Sequence, residues 1–345
     1  MITKPIPYGR QHITDEDIQC VIDALKSDYL TQGPKIKEFE EAFASYVGCK
    51  YAIAVNNATA GLHLAATALD VNLGDKVIVT PLTFAASANC IRYRGGEVVF
   101  CDVEEDTYLM DIKKLSRLLS QSPKGTYKGI VLVDFAGYPA NLEAFRQLAD
   151  EYGLWIIEDA CHAPGGYFID SKGEKQLCGN GNFADVSVFS FHPVKHIATG
   201  EGGMATTNCK ELYEKLCLYR THGITKNPAL LHENHGGWYY EMQELGYNYR
   251  ITDFQAALGI SQLKRADMGL ARRQEIARRY REGLSDLKGV KLPFVSDQVF
   301  HAYHLFIIQV EDRLGLYDYL HKSNIYAQVH YVPLHLTPYY KQLGN

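Results

Sequence analysis

The stretch Asp185–Gly203, D-V-S-V-F-S-F-H-P-V-K-H-I-A-T-G-E-G-G, decides how the rest of the chain is read. Val186, Val188, Phe189 and Phe191 make a short apolar run of strong strand formers, which predicts a buried strand. Pro193 stops it, Lys195 follows at once, and Gly200, Gly202 and Gly203 let the backbone turn tightly behind the lysine. Lysines normally occupy flexible, exposed faces. One fixed at the end of a buried strand suits a Schiff base with an aldehyde cofactor, pyridoxal 5′-phosphate (PLP). Taken alone, Lys195 reads more simply as a solvated loop residue, so its partners elsewhere decide.

Upstream, Leu154–Ile157 predicts a strand that ends in Glu158-Asp159-Ala160-Cys161-His162. Asp159 at the mouth of a sheet would face what Lys195 faces. A carboxylate there holds a pyridine nitrogen protonated by charge pairing, making the ring an electron sink; a helix N-cap is the plainer role for it. His162 suits packing on such a ring or bonding its 3-oxygen, and equally suits a core or capping histidine. Cys161-His162 has too few neighbouring ligands for a metal site. Tyr51–Val55 predicts another strand, leading through Asn56-Asn57-Ala58-Thr59-Ala60-Gly61 into a helix that reaches Leu69. Small residues at a strand-to-helix turn let backbone N–H groups point at an anion, and a phosphate is the natural guest. Lys76–Thr80 is a strand followed by Pro81-Leu82-Thr83-Phe84-Ala85, with Phe84 either stacking on a flat ring or filling a core.

Glu97–Val103 and Gly129–Phe135 read as strands, Leu142–Tyr152 as a helix, Met204–Thr207 as a strand and Lys210–Arg220 as a helix. The alternation predicts an α/β fold with a mostly parallel sheet covered by helices on both faces. Gly179-Asn180-Gly181 is no dinucleotide fingerprint, because a strand follows where a helix should begin. Thr14 caps a first helix, and a second runs from about Pro34 to Tyr46, closed by Gly48. Thr252 caps a long helix extending to about Leu284, whose Arg272, Arg273, Arg278 and Arg279 read as a solvated face. His304–Val310, Leu314–Ser323 and Ala327–Tyr331 predict strand, helix and strand. The expected division is a large cofactor-binding domain over residues 1–250, then the linking helix and a small α+β domain over 251–345.

The 345 residues are 46% hydrophobic and 22% charged, with net charge −5 and no basic block, which argues against nucleic acid or an anionic membrane surface. No run is long enough to span a bilayer. The N-terminus lacks an apolar core of signal-peptide length, and eight scattered cysteines without a Cys-x-x-Cys pair suit reduced thiols in a cytoplasmic protein.

The ordered set N-A-T-A-G, T-P-L-T-F, E-D-A-C-H-A, S-F-H-P-V-K, T-G-E-G-G and G-Y-N-Y-R-I-T-D-F-Q-A-A-L-G resembles the DegT/DnrJ/StrS sugar-aminotransferase family of PLP enzymes, over nearly the whole chain. The resemblance implies PLP-dependent transferase fold type I, the aspartate aminotransferase fold. It implies that Lys195 carries the cofactor as a Schiff base, Asp159 pairs the pyridine nitrogen, His162 lies near the 3-oxygen and Phe84 stacks on the ring. Ala58, Thr59, Ala60 and Ser190 would hold the phosphate. Asn248 would reach it from the neighbouring subunit, making the active unit a homodimer. Tyr8, the turn Asp28, Tyr29, Leu30, Thr31, and the stretch Gln328, Val329, His330, Tyr331 would wall a sugar-nucleotide pocket. No metal is implied.

The tail A-Q-V-H-Y-V-P-L-H-L-T-P-Y-Y is similar to the branch of pseudaminic acid biosynthesis. It implies amination of a UDP-linked 4-keto-6-deoxy-N-acetylhexosamine, with L-glutamate as donor and 2-oxoglutarate leaving. Competing expectations are a dTDP- or GDP-linked keto sugar, a PLP-dependent sugar dehydratase, and a non-catalytic homologue. The dehydratase needs a non-lysine base, typically histidine, where Lys195 stands; the homologue should have lost Lys195 or Asp159. Chains of this family usually continue beyond Tyr339-Tyr340, so a small domain truncated at Asn345 is expected.

Overall fold

The computed structural model describes residues 4–344. Seven strands, β1 (Tyr51–Val55), β2 (Lys76–Val79), β3 (Glu97–Phe100), β4 (Tyr127–Val133), β5 (Trp155–Asp159), β6 (Val186–Ser190) and β7 (Gly203–Thr207), form one sheet. Their order is β1-β7-β6-β5-β4-β2-β3. From β3 to β6 every neighbouring pair is parallel, whereas β7 runs antiparallel to both β6 and β1. The expected mostly parallel sheet is therefore present, with one reversed strand inside it.

The helices are α1 (Asp15–Leu25), α2 (Pro34–Val47), α3 (Ala58–Ala68), α4 (Ala86–Tyr93), α5 (Ile112–Ser120), α6 (Leu142–Tyr152), α7 (Lys210–Arg220), α8 (Asp253–Leu263), α9 (Ala266–Leu284) and α10 (Arg313–Lys322). Strand side chains alternate between faces, and here both faces are apolar. Val77, Val79 and Ile157 pack with α3, α4 and α7. Ile78, Ile130 and Ile156 pack with α5 and α6. Phe189 and Met204 pack with Phe39 and Phe43 of α2 and with α8. Continuous Val/Ile runs are the signature of strands buried on both sides.

Local chemistry sets the helix ends. Thr14 and Asp17 form a capping box at α1, Thr252 and Gln255 another at α8, and Gly48 closes α2 at φ +77°.

Four expectations need correction. The single helix expected from Thr252 to Leu284 is two helices, α8 and α9, parted at Lys264-Arg265. The break occurs where the Arg265 guanidinium turns to the buried carboxylate of Asp17 in α1, 2.5 Å away, which Gln262 also reaches at 2.7 Å. The Arg273 side chain is half-buried and donates to the carbonyls of Tyr303 and His304 at 3.0 and 3.3 Å, so it is no part of a solvated face. Of the strand expected over His304–Val310, only Gln309–Val310 forms, pairing with Val290–Lys291. The preceding residues instead bond the loop after β4, through Ala302 N–H to Gly137 O (2.7 Å) and Leu305 N–H to Ala136 O (3.1 Å). Ala327–Tyr331 forms no strand. Val299–Phe300 pairs with Tyr167–Phe168, so the C-terminal region is hydrogen-bonded into the large α/β unit.

Among the described residues no helix is long and apolar enough to cross a membrane, and all eight cysteines are free thiols.

Candidate active site

A cleft of about 750 Å³ opens where the carboxyl ends of β1, β2, β5 and β6 meet, the end at which α/β sheets gather ligands. At one wall stands the first turn of α3. Asn57 caps it, its side-chain oxygen accepting from Ala60 N–H at 2.8 Å. The N–H groups of Ala58 and Thr59 lie within the turn that has no intrahelical acceptor, free to face an anion. Gly203, at the start of β7, makes this seat possible: a Cβ there would stand 2.6 Å from the Asn57 carbonyl carbon and 2.7 Å from Ala58 N. Ser190, at the end of β6, lines the same cleft.

Asp159 ends β5 at the cleft, nearly buried. One carboxylate oxygen accepts from Ser87 Oγ at 2.6 Å, and the other from Cys161 N–H at 3.2 Å. Ser87 in turn meets Thr83 Oγ1 at 2.8 Å. A buried carboxylate oriented by two donors keeps further acceptor capacity for a protonated ring nitrogen.

Lys195 opens into the cleft from the turn after β6. Burial pushes its amine below the ordinary lysine value, with Cys161 and Asp159 opposing. Its Nζ lies 3.5 Å from His304 Nε2. His196, by contrast, bonds the Ala302 carbonyl at 2.9 Å.

His162 Nδ1 accepts from Ala136 N–H at 3.2 Å, which puts its ring proton on Nε2. Burial, then the Lys195 charge, hold this ring well below the ordinary histidine value, so it is neutral. Nε2 lies 3.4 Å from Tyr331 Oη. Tyr8 Oη meets His330 Nε2 at 2.9 Å with the two rings stacked.

The structure thus gathers Tyr8, Ala58, Thr59, Ala60, Phe84, Asp159, His162, Ser190, Lys195, His330 and Tyr331 around one cleft. Ala60 N–H is already taken by Asn57, so that residue contributes only wall. Phe84 is 61% exposed and sits 6.3 Å from the Tyr331 ring, which rules out the core role. Asp28, Tyr29, Leu30 and Thr31 lie outside the cleft; their turn is tied to α8 by Asp253 N–H to Leu30 O at 3.0 Å and by Gly33 N–H to the Asp253 carboxylate at 2.8 Å. Gln328, Val329 and Asn248 are exposed and do not line it.

Sequence reading missed Ser87, Glu201, His63, Tyr249 and His304. The four-residue spacing of Thr83 and Ser87 at the start of a helix was a usable signal. His304 had none, because it lies in a run that reads as an ordinary strand.

An α/β sheet of this topology, with a half-buried lysine and a buried aspartate around one cleft and a helix N-terminus in its wall, defines a PLP-dependent aminotransferase of fold type I. The chain belongs to the DegT/DnrJ/EryC1/StrS aminotransferase family, whose model matches residues 11–345. It is 39% identical over 347 residues to the UDP-4-amino-4,6-dideoxy-N-acetyl-beta-L-altrosamine transaminase of Campylobacter jejuni, covering 98% of this chain and 86% of that one. It is 39% identical over 350 residues to the spore coat polysaccharide biosynthesis protein SpsC of Bacillus subtilis, with the same coverage. Spr1654 of Streptococcus pneumoniae in its PLP form superposes with a TM-score of 0.88 at 31% identity, covering 99% of this chain and 88% of that one.

Proposed function

We propose that the protein transfers the amino group of L-glutamate to C4 of a UDP-linked 4-keto-6-deoxy-N-acetylhexosamine, in the cytoplasm, as part of pseudaminic acid formation. When bound, PLP supplies an aldehyde that carries the amino group and a ring that accepts electrons. The chain supplies the rest. Lys195 anchors the cofactor and, once released, takes the proton from the donor α-carbon as a base and later delivers a proton to the sugar C4. Its lowered basicity keeps a fraction of the amine neutral for that task. Asp159 keeps the pyridine nitrogen protonated, held in place by Ser87 and Cys161. The Ala58 and Thr59 N–H groups and Ser190 bind the phosphate. The neutral His162 offers its Nε2 proton toward the 3-oxygen. Tyr8, His330 and Tyr331 wall the sugar side.

The observation that carries this reading is a half-buried amine and a buried carboxylate opening into one cleft beside an uncapped pair of helix N–H groups. The likeness to the Campylobacter enzyme supports the sugar. Free thiols throughout support a reducing compartment.

We read the active unit as a homodimer in which Asn248 completes the phosphate site of the other copy. Trp238, Met242 and Leu245, in the segment before Asn248, are large apolar side chains left exposed in the single chain, which supports a second copy covering them.

The equal likeness to SpsC favours one alternative, amination of another nucleotide-linked keto sugar, for example dTDP- or GDP-linked. A panel of UDP-, dTDP- and GDP-linked keto sugars, each incubated with PLP and glutamate and assayed for 2-oxoglutarate, decides. The reading predicts kcat/KM highest for the UDP-4-keto-6-deoxy-N-acetyl sugar. Preference for another nucleotide or keto position overturns the substrate, and no 2-oxoglutarate with any of them overturns the reaction.

A further inference from the structure

His304 lies on no regular element, yet its backbone is fixed from two directions. Arg273 of α9 donates to its carbonyl and to that of Tyr303. Its neighbours Ala302 and Leu305 bond the loop Ala136-Gly137, whose Ala136 N–H also orients His162. The His304 ring packs on the His162 ring with centroids 4.3 Å apart. It is 9% exposed, lines the cleft, and its Nδ1 has no hydrogen-bond partner among the described residues. Burying a ring nitrogen without a partner costs stability. Among the described residues the ring's one hydrogen-bonding neighbour is Lys195, with Nε2 3.5 Å from Nζ.

We propose that His304 is a positioning residue for Lys195, its Nε2 accepting a hydrogen bond from the Lys195 ammonium and holding that amine in the cleft whenever it is not joined to the cofactor. This rests on the reading of Lys195 as the cofactor-bearing lysine. The ring proton then sits on Nδ1, and the orphaned nitrogen is the cost of presenting an acceptor to the amine. The other titratable or charged groups that face Lys195 are Asp159 and Cys161 from the end of β5, Arg273 from α9, and His162, His196 and His330. Burial holds these three histidines and His304 below the ordinary histidine value and so neutral above pH 7, and it raises the Cys161 thiol. A titration seen at Lys195 in alkaline solution therefore belongs to its own amine.

The test uses the full chain freed of cofactor, with lysines reductively methylated with 13C-formaldehyde and titrated by NMR. The signal missing from the Lys195→Ala protein assigns Lys195. An ammonium that loses its acceptor is a stronger acid, so His304→Phe, and His304→Asn, whose amide falls short of the amine, should lower the Lys195 midpoint by about one pH unit. His304→Gln, which restores an acceptor at similar reach, should return it to within about 0.3 unit of the native value. Circular dichroism identifies the folded variants, and Phe or Asn alone suffices beside Gln. An unchanged midpoint in the Phe or Asn protein, or a shift in the Gln protein as large as theirs, overturns the proposal. Because no sugar or donor is present, failure here is distinct from failure of the proposed reaction.

Discussion

Lys195 is half-buried at the cleft and Asp159 is buried, and the consequences differ for each. Burial makes the amine a weaker base than a surface lysine, so more of it is neutral and able to take a carbon-bound proton at neutral pH. Replacing Lys195 with Ala should cut kcat by at least about 10³-fold, while equilibrium dialysis still shows PLP bound through its phosphate and ring. Near-native turnover would refute the role. A second buried pair lies on the opposite sheet face: Glu158, adjacent to Asp159 on β5, and Asp134, after β4. Burial raises both carboxyls above their ordinary values. Asp134 accepts from Ala140 N–H at 2.8 Å and Glu158 from Gly179 N–H at 3.0 Å. A carboxyl whose native value is raised contributes stability that is complete below the unfolded value, about pH 4, and lost as pH climbs through the raised native value. The native protein should therefore lose stability as pH rises above about 4, and Asp134→Asn, which removes one titration, should lose less. Urea unfolding midpoints across that range check the sign; an identical pH slope in both proteins overturns it.

The elements hold the site through two close approaches. Gly203 lets β7 touch the N-terminus of α3, and Gly203→Ala would force a methyl to 2.6 Å from the Asn57 backbone. Displacing that turn should weaken PLP binding by at least about tenfold, with Lys195 untouched; a fluorescence titration with PLP measures it, and unchanged affinity sinks the α3 phosphate seat. The second approach is the joint between α8 and α9, where Arg265 meets Asp17 of α1. Asp17→Ala takes the carboxylate from the guanidinium and should destabilise the fold by about 2–3 kcal/mol, read from denaturant midpoints; a loss below about 0.5 kcal/mol contradicts it. This joint also shows where sequence reading stops. Nothing at Lys264-Arg265 breaks a helix by propensity, and the cause lies 248 residues upstream. By contrast α6 and α7 were legible to the residue, because their apolar spacing and ends are local.

For the molecule as a whole, the sharing of sites between two copies has a direct test. Lys195→Ala and Asn248→Ala proteins, each impaired alone, should regain activity when unfolded together and refolded as a mixture, because half of randomly paired dimers carry one fully native site; about a quarter of native activity is expected. No recovery means that each chain completes its own site. The succession of strands along the chain, their mostly parallel pairing and the lysine–aspartate pair were readable because strand ends and their flanking small residues are written in consecutive positions. His304 and Ser87 were not, since their roles come from segments that meet only in three dimensions. The reversed strand β7 lies between β1 and β6 and pairs Val55 with Gly203. During synthesis, then, the ribosome must release the first three-fifths of the chain before the phosphate pocket has its second wall. Folding governed by so long-range a contact is slow, and nascent chains arrested before Gly203 should remain sensitive to protease and unable to retain the vitamin.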